Sequence, residues 1–527
     1  MTASSMTASN EHSAANVCKR TDRASIELQT GSNMAGTPAS PQAGQVMTAI
    51  TIHKTYSCAA MVMAAFLVTA CAVNPVSGQR DFVLISEDQE IAMGAEGARS
   101  VAATIGEVDD AALQQYVQAL GERLAADSER PHLPWTFRVL DDPTPNAFAF
   151  PGGYIFITRG LVNLMGNEAE LVSVIGHEIG HVTARHSVVM MSRAQAAQIG
   201  LGVGSMISPE LAQFSDALAG GLSLLFLSYG RDAERQADDL GFGYALDHGY
   251  DVREMVNVFA ALERAGDLAG HSPLPEWQAS HPEPGERIQR IEAQLAALDQ
   301  PLANARIGTD DYLGHLDGMV FGVNPRHGYF EEQRFKHPDM AFQFDFPAGW
   351  RTQNMAQAVV AGSPDQDAVI QLDLADGSPD AAASQFFGQQ GLTGSDRSQR
   401  SINGLDAMVG RFQAQTQRGE ISGRAAFISH GGLTFRLLAY TESTLLRRHD
   451  PAFQAALASF ARLTDRQALA RQPDRIVIVR PDQAMTLNSF NARYPSTISI
   501  EQLALINQLT DPDAPIASGT PIKRVVR

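Results

Sequence analysis

Two histidines four residues apart define the chemistry open to this chain. His177-Glu178-Ile179-Gly180-His181 reads His-Glu-x-x-His. On a helix, positions i and i+4 share a face, so both imidazoles can reach one metal ion. Glu178 projects about 100° further round the helix. In this motif such a carboxylate serves as the base that takes a proton from attacking water. A hydrolytic zinc site needs a third protein donor and one open position. His186 is a poor candidate, because nine residues advance a continuous helix by roughly 900°, about half a turn off the metal face. A polar role at the helix end is expected for it. Glu234 and Asp238 in Arg231-Asp232-Ala233-Glu234-Arg235-Gln236-Ala237-Asp238 are again i and i+4. One carboxylate can ligate the metal, and the other can accept the ring N–H of a ligand histidine.

Several helices and two strands must position these groups. Leu171, Val174 and Ile175 give the His-Glu-x-x-His segment a buried side, and helical patterning runs from Glu168 to about Ser187. A second helix is expected from about Asp232 to Asp247, and others over Val252 to Arg264 and Gly285 to Leu298. Residues 87 to about 130 carry apolar residues at helical spacing, among them Leu113, Val117, Leu120 and Leu124. Residues 135–142 and 147–157 read as strands, the second broken at Pro151-Gly152-Gly153. The apolar run Ala217 to Leu227 is too short to span a bilayer, so buried core or a lid is expected there.

The same residues carry a family resemblance. The stretch HEIGHVTARH, the segment RDAERQAD and His281-Pro282-x-x-x-x-Arg287 resemble the HtpX/BepA-type gluzincin metallopeptidases, relatives of the CAAX prenyl proteases. Asn146 to Tyr154 resembles their strand ahead of the motif helix. The resemblance covers residues 75 to about 300. It implies one Zn²⁺ held by His177, His181 and Glu234, with Glu178 as general base and Asp238 behind a ligand histidine. It also implies a site role for His281, either steadying the oxyanion or standing as a fourth ligand that blocks water. Arg287 can hold a nearby carboxylate or aid transition-state charge. The activity implied is that of a zinc endopeptidase cutting unfolded or misassembled envelope proteins, as quality control. The strand over Phe148 to Phe156 could pair with an extended substrate by β-addition. The alternative expectation is a latched, chaperone-like or cell-wall-bound scaffold in outer-membrane protein assembly.

Composition narrows partners and compartment. The net charge of -18 disfavours a nucleic-acid-binding surface, which needs clustered Lys and Arg. All three cysteines (Cys18, Cys58, Cys71) lie in the first 71 residues, so a disulfide-stapled fold is excluded. Residues 58–70 are an uncharged run of 13 that fits the apolar centre of a signal peptide. It ends in Val68-Thr69-Ala70-Cys71, which resembles a bacterial lipobox. Cleavage before Cys71 and its lipidation are expected. Ala72 rather than Asp after the cysteine favours the outer membrane, with the protein facing the periplasm. Residues 1–46 read as a disordered or mis-annotated start, 47–70 as the lipoprotein signal peptide and 71–86 as a lipidated tether.

The resulting expectation is an α+β multidomain chain. A mainly helical zincin-type metalloprotease domain occupies 87–305, followed by a linker over 306–335. Residues 336–465 should form a small α+β sandwich domain, and their Phe344 to Trp350 opening resembles PsbP/Mog-type sandwiches. Residues 474–527 read strand, helix, helix, strand, which resembles the LysM module and implies binding to peptidoglycan.

Overall fold

The structure, a computed structural model, describes residues 71–200, 229–268, 281, 284–299, 301–416 and 419–527. The expected leader segments 1–46 and 47–70, and the apolar run from Ala217 to Leu227, lie outside the described residues.

The main core forms around a three-stranded sheet. Its order is Thr136–Leu140, Tyr154–Thr158, Ala147–Phe150. The first pair is parallel and the second antiparallel, so Ala147–Phe150 lies at the edge. The break between the last two strands is the expected Pro151-Gly152-Gly153, and both glycines take the left-handed φ that favours glycine. Helix Ala111–Ala126 begins at Asp110, whose carboxylate accepts the N–H groups of Ala112 and Leu113. It buries Leu113, Val117, Leu120 and Leu124 in the main core, which the strand residues Phe137, Val139, Ile155 and Ile157 share. Helix Glu87–Thr104 covers the opposite face, where Phe148, Phe150 and Phe156 gather with Val101, Val188 and Met191.

The motif helix is Glu168–Thr183, and all sixteen of its residues are buried. Asn167 caps it, accepting the N–H of Glu170, and Glu168 and Glu170 suit its positive end. It stops earlier than its pattern suggests. Arg185 adopts a left-handed φ of 58°, and a new helix, His186–Gly200, starts at once. Helix Arg231–Asp247 crosses the motif helix at small residues. A Cβ on Gly241 would stand 2.7 Å from the backbone nitrogen of His177, and one on Gly176 would stand 3.1 Å from Gly241. The two backbones are therefore nearly in contact, which carries Glu234 and Asp238 to the histidine face. Helices Glu254–Leu268 and Pro284–Ala296 complete the layer.

Segment 306–335 is more ordered than its irregular composition suggests. Helix Thr309–Leu316 buries Tyr312, Leu313 and Leu316 in the main core. Strand Val320–Phe321 then pairs with the distant strand Asp474–Val479, which pairs in turn with Ile522–Val526. Phe321 stands opposite Asp474, so the chain leaves and re-enters the main body at one place. The excursion between them carries a seven-stranded antiparallel sheet in the order 351–354, 358–362, 368–375, 433–442, 419–430, 405–416, 392–402. Helix Leu446–Ser459 packs on one face, beside Ala426 and Ile428. Helix Pro379–Phe387 packs on the other, against Ala425 and Phe427. Alternate residues of one strand thus feed two cores. The strand Leu392–Ile402 was not expected from sequence, because its eleven residues are mostly polar and exposed.

The last residues run strand, helix (Leu487–Arg493), helix (Ile500–Ile506), strand, in the expected order. Their Ile476 lies in the main core. Among the described residues no helix is long and apolar enough to cross a membrane.

Candidate metal centre

His177, His181, Glu234 and His281 each place a donor atom within 4.8 Å of the others, and all four are buried. His177 and His181 come from one face of the motif helix, as the i, i+4 spacing requires. Their Nε2 atoms lie 3.0 Å apart. The Glu234 carboxylate faces both, at 3.6 Å from His177 Nε2 and 3.4 Å from His181 Nε2. His281 Nδ1 is 3.1 Å from both Glu234 oxygens and 3.3 Å from His177 Nε2.

The outer ring nitrogens explain why these donors face inward. His177 Nδ1 lies 3.0 Å from Asp238 Oδ1, so its N–H is donated there and Nε2 is left as a bare lone pair. His181 Nδ1 lies 3.0 Å from His186 Nδ1, and His186 Nε2 lies 3.0 Å from Gln236 Oε1. If His186 donates to the Gln236 oxygen, it accepts from His181, and His181 Nε2 is bare as well. Two lone pairs and a carboxylate then converge on one buried point, an arrangement that a cation stabilises. Burial pushes the His181 imidazole far below its ordinary pKa, which suits a neutral ligand. Burial raises Glu234, but the charge and hydrogen bond of His281 and the charge of Arg287 outweigh it and hold the carboxyl below its ordinary pKa. Imidazole and carboxylate donors in this number fit zinc.

Arg287 grips Asp238 with two bonds, Nε to Oδ2 at 2.9 Å and a terminal nitrogen to Oδ1 at 2.6 Å. Its other terminal nitrogen is 3.3 Å from Glu234. Of the two roles open to Arg287 in the sequence, these distances match the holding of carboxylates. Asp238 is raised by burial, yet Arg287 and His177 bring it well below the carboxylate range.

Glu178, one position on from His177, borders the donor group. One oxygen is 3.7 Å from His281 Nε2, and the other, Oε2, is buried without a hydrogen-bond partner among the described residues. Burial raises its pKa. Cys71 stands at the start of the short strand Cys71–Val73.

The structure adds residues that sequence reasoning passed over. His186 lies outside the converging donor group and is the hydrogen-bond partner of its member His181. Tyr229 stacks on His181 with ring centres 4.0 Å apart, and its hydroxyl is 2.7 Å from Ser187 Oγ. At the far end of the motif helix, Arg130 donates to the Val182 carbonyl at 3.0 Å and to both Glu90 oxygens at 2.7 and 3.0 Å. Arg185, thrown outward by its left-handed φ, also reaches Glu90 at 3.0 Å. These long-range pairs have no local signature, whereas the five-residue step from His181 to His186 is a signal once the helix is known to break.

Comparison with known proteins agrees with this geometry. The profile of peptidase family M48 matches residues 111–295. The beta-barrel assembly-enhancing protease of Yersinia pestis is 33% identical over 232 residues, covering 42% of this chain and 47% of that protein. The mitochondrial metalloendopeptidase OMA1 of Schizosaccharomyces pombe is 30% identical over 230 residues, covering 42% of this chain and 65% of that protein. The chain spans about half the length of the beta-barrel assembly-enhancing proteases it matches. Among solved structures, cyanobacterial PsbP from Synechocystis is matched with a TM-score of 0.21 at 13% identity, over 24% of this chain and 90% of that one. The converging donors, the Glu178 oxygen that has no partner among the described residues and the family match point the same way: residues 111–295 match peptidase family M48 and carry a donor set that fits the zinc of a metallopeptidase.

Proposed function

We propose that this protein is a zinc endopeptidase of the bacterial envelope that cuts unfolded or misassembled proteins. The observation that carries the reading is Glu178 Oε2, buried and without a partner beside the four converging donors. Bound zinc supplies a Lewis acid that polarises a carbonyl and acidifies water. Glu178 takes one proton from the water, whose oxygen joins the carbonyl carbon. The C–N bond breaks, and the proton leaves on the amine nitrogen. The edge strand Ala147–Phe150 supports substrate binding by β-addition, since among the described residues its outer side carries no strand. Binding through main-chain hydrogen bonds suits unfolded chains of varied sequence. The two assembly-enhancing and mitochondrial relatives are named as proteases, which agrees with the reading. The test is cleavage of an unfolded protein by the soluble form from Ala72 onward, beside its Glu178→Gln twin. Cleavage by the wild type alone is expected, and equal cleavage by both would sink the mechanism.

One observation favours a second state of the same site. His281 stands inside the donor group rather than at its rim, 3.1 Å from Glu234. A His281 that fills the fourth position would latch the enzyme. Activity rising in His281→Ala supports the latch, and activity lost supports an oxyanion role.

Anchoring rests on sequence. Cys71 lipidation and outer-membrane retention are tested by labelling with a fatty acid in wild type and Cys71→Ser. Peptidoglycan binding by residues 474–527 is supported by their strand-helix-helix-strand order, and it predicts co-sedimentation with purified sacculi.

A further inference from the structure

One buried carboxylate ties the sheet edge to the helix that carries the histidine donors. Glu90 lies in helix Glu87–Thr104 and is 1% exposed. Its Oε1 accepts from a terminal nitrogen of Arg130 at 2.7 Å and from the Gly152 N–H at 3.3 Å. Its Oε2 accepts from the other terminal nitrogen of Arg130 at 3.0 Å and from Arg185 Nε at 3.0 Å. Gly152 sits in the turn between the edge strand Ala147–Phe150 and its neighbour Tyr154–Thr158. Arg130 also donates to the carbonyl of Val182, the residue after His181, and Arg185 stands at the break that ends the motif helix. The strand turn and the helix end thus meet on one side chain. There is little slack between them. A Cβ on Gly94, one helical turn on from Glu90, would collide with the Pro151 carbonyl oxygen, and one on Gly152 would stand 2.6 Å from the Cα of Ile91. Helix Glu87–Thr104 therefore lies backbone to backbone on the turn, with no side chain between to absorb a shift.

We propose that Glu90 is a positioning residue for peptide cleavage: it holds the edge strand in line with the metal donors, so that a chain paired to the strand presents its carbonyl to them. The inference rests on the peptidase reading above and on substrate pairing with that strand. Glu90 acts through the turn and the two arginines, not on the substrate.

Stability alone does not account for this cluster. Apolar residues of similar volume stabilise a core as well as a buried Arg–Glu–Arg triad does, or better. What the triad adds is direction. Each bond fixes a length and an angle, and the two glutamate oxygens cannot serve the turn and the helix end unless both stand in one arrangement. That arrangement matters for rate, because reacting atoms must approach to about 3–3.5 Å, and a 1 Å misplacement can cost roughly 100-fold.

The experiment follows an unstructured quenched-fluorescent peptide cut by the full chain and by its Glu90→Gln, Gly94→Ala, Val117→Ala and Glu178→Gln variants, with rates counted per folded, zinc-loaded molecule. Glu90→Gln releases the arginines, and Gly94→Ala pushes the turn away without changing charge. Val117→Ala opens a cavity in the main core, in helix Ala111–Ala126, and controls for lost stability. Both turn variants should lose about tenfold or more in kcat while KM stays within about twofold, because the strand still pairs with the peptide but offers it out of line. Val117→Ala should melt earlier and keep both constants. Unchanged kcat in the two turn variants, or an equal fall in Val117→Ala, overturns the positioning role and leaves the peptidase reading standing. A rise in KM alone also overturns it, since the strand is then lost rather than shifted. Cleavage that Glu178→Gln retains overturns the peptidase reading itself. If the wild type leaves the peptide uncut, or the turn variants do not fold, hydrogen exchange in Glu90→Asp decides, a change that keeps the charge and shortens the reach. Faster exchange over 147–154 with 171–182 unchanged upholds the role, and exchange equal to wild type over 147–154 overturns it.

Discussion

The Nδ1 atoms of His181 and His186 face each other at 3.0 Å, and the far nitrogen of His186 is 3.0 Å from Gln236 Oε1. A histidine, rather than a carboxylate or a carbonyl, thus backs one of the four converging donors, and a glutamine backs that histidine in turn. The arrangement depends on the break at Arg185. On a continuous helix His186 would point away, but the new helix starting at His186 returns it to His181.

This relay predicts weaker metal binding when His186 is lost. His186→Ala should lower zinc affinity about 10–100-fold, the usual cost of removing a ligand's outer partner. Competition with a chromophoric chelator measures it directly, without reference to turnover. His186→Asn, whose amide oxygen can still accept, should recover part of the loss. Unchanged affinity in His186→Ala would remove the residue from the site.

Arg287 and Asp238 predict a stability effect distinct from the metal effect. The pair is buried, with bonds of 2.6 and 2.9 Å. Arg287→Ala leaves Asp238, and in part Glu234, as uncompensated buried charge, which costs about 3–5 kcal/mol. Denaturant unfolding of the zinc-free protein should show this loss. Replacing both residues with apolar ones should cost less than the single change, because no charge is stranded. A double variant less stable than Arg287→Ala would contradict the account.

The helix crossing gives a third prediction. A Cβ at Gly241 would stand 2.7 Å from the His177 backbone nitrogen, a rigid neighbour. Gly241→Ala must push the two helices apart, at about 1–3 kcal/mol for overpacking. It moves Glu234 and Asp238 away from the histidines together, so zinc affinity should fall with stability. Gly243 on the same helix has open space at its Cβ position, and Gly243→Ala serves as the control that changes neither by much.

These relationships mark where the sequence was readable. Helical periodicity placed His177 and His181 on one face and paired Glu234 with Asp238, because i, i+4 geometry is local. The same logic set His186 off the metal face yet missed its partner role, since the helix breaks at Arg185, which meets Arg130 at a buried Glu90 far away in sequence. In the sheet excursion, apolar alternation revealed strands such as Gly419–His430. It failed on Leu392–Ile402, whose residues are mostly solvent-facing. Pairing of Val320–Phe321 with Asp474–Val479 joins segments more than 150 residues apart, and no local pattern encodes it.

That long-range junction also seats Lys523 under the motif helix, and it yields a pH prediction. Lys523 is buried and donates to the carbonyls of Asn163 and Met165 at 2.9 and 2.8 Å, just before the helix begins. Burial, opposed by the charge of Glu170, lowers its pKa to about 7 from the ordinary 10.5. Burial likewise raises Glu170 to about 7 from 4.5, while the Gly166 N–H and Gln508 work against the rise. The signs follow from proton counting. Between pH 7 and 10.5 the unfolded chain holds the lysine proton and the folded chain does not, so raising the pH favours folding. Between pH 4.5 and 7 the folded chain holds the Glu170 proton and the unfolded chain does not, so raising the pH disfavours folding. Lys523→Met removes the first effect. It also strips the donor from two buried carbonyls, at about 1–3 kcal/mol. The melting temperature of the wild type relative to that of Lys523→Met should therefore rise as the pH goes from about 7 to 9. A margin that stays level across this range would mean that Lys523 remains charged in the fold, with Glu170 as its counter-ion.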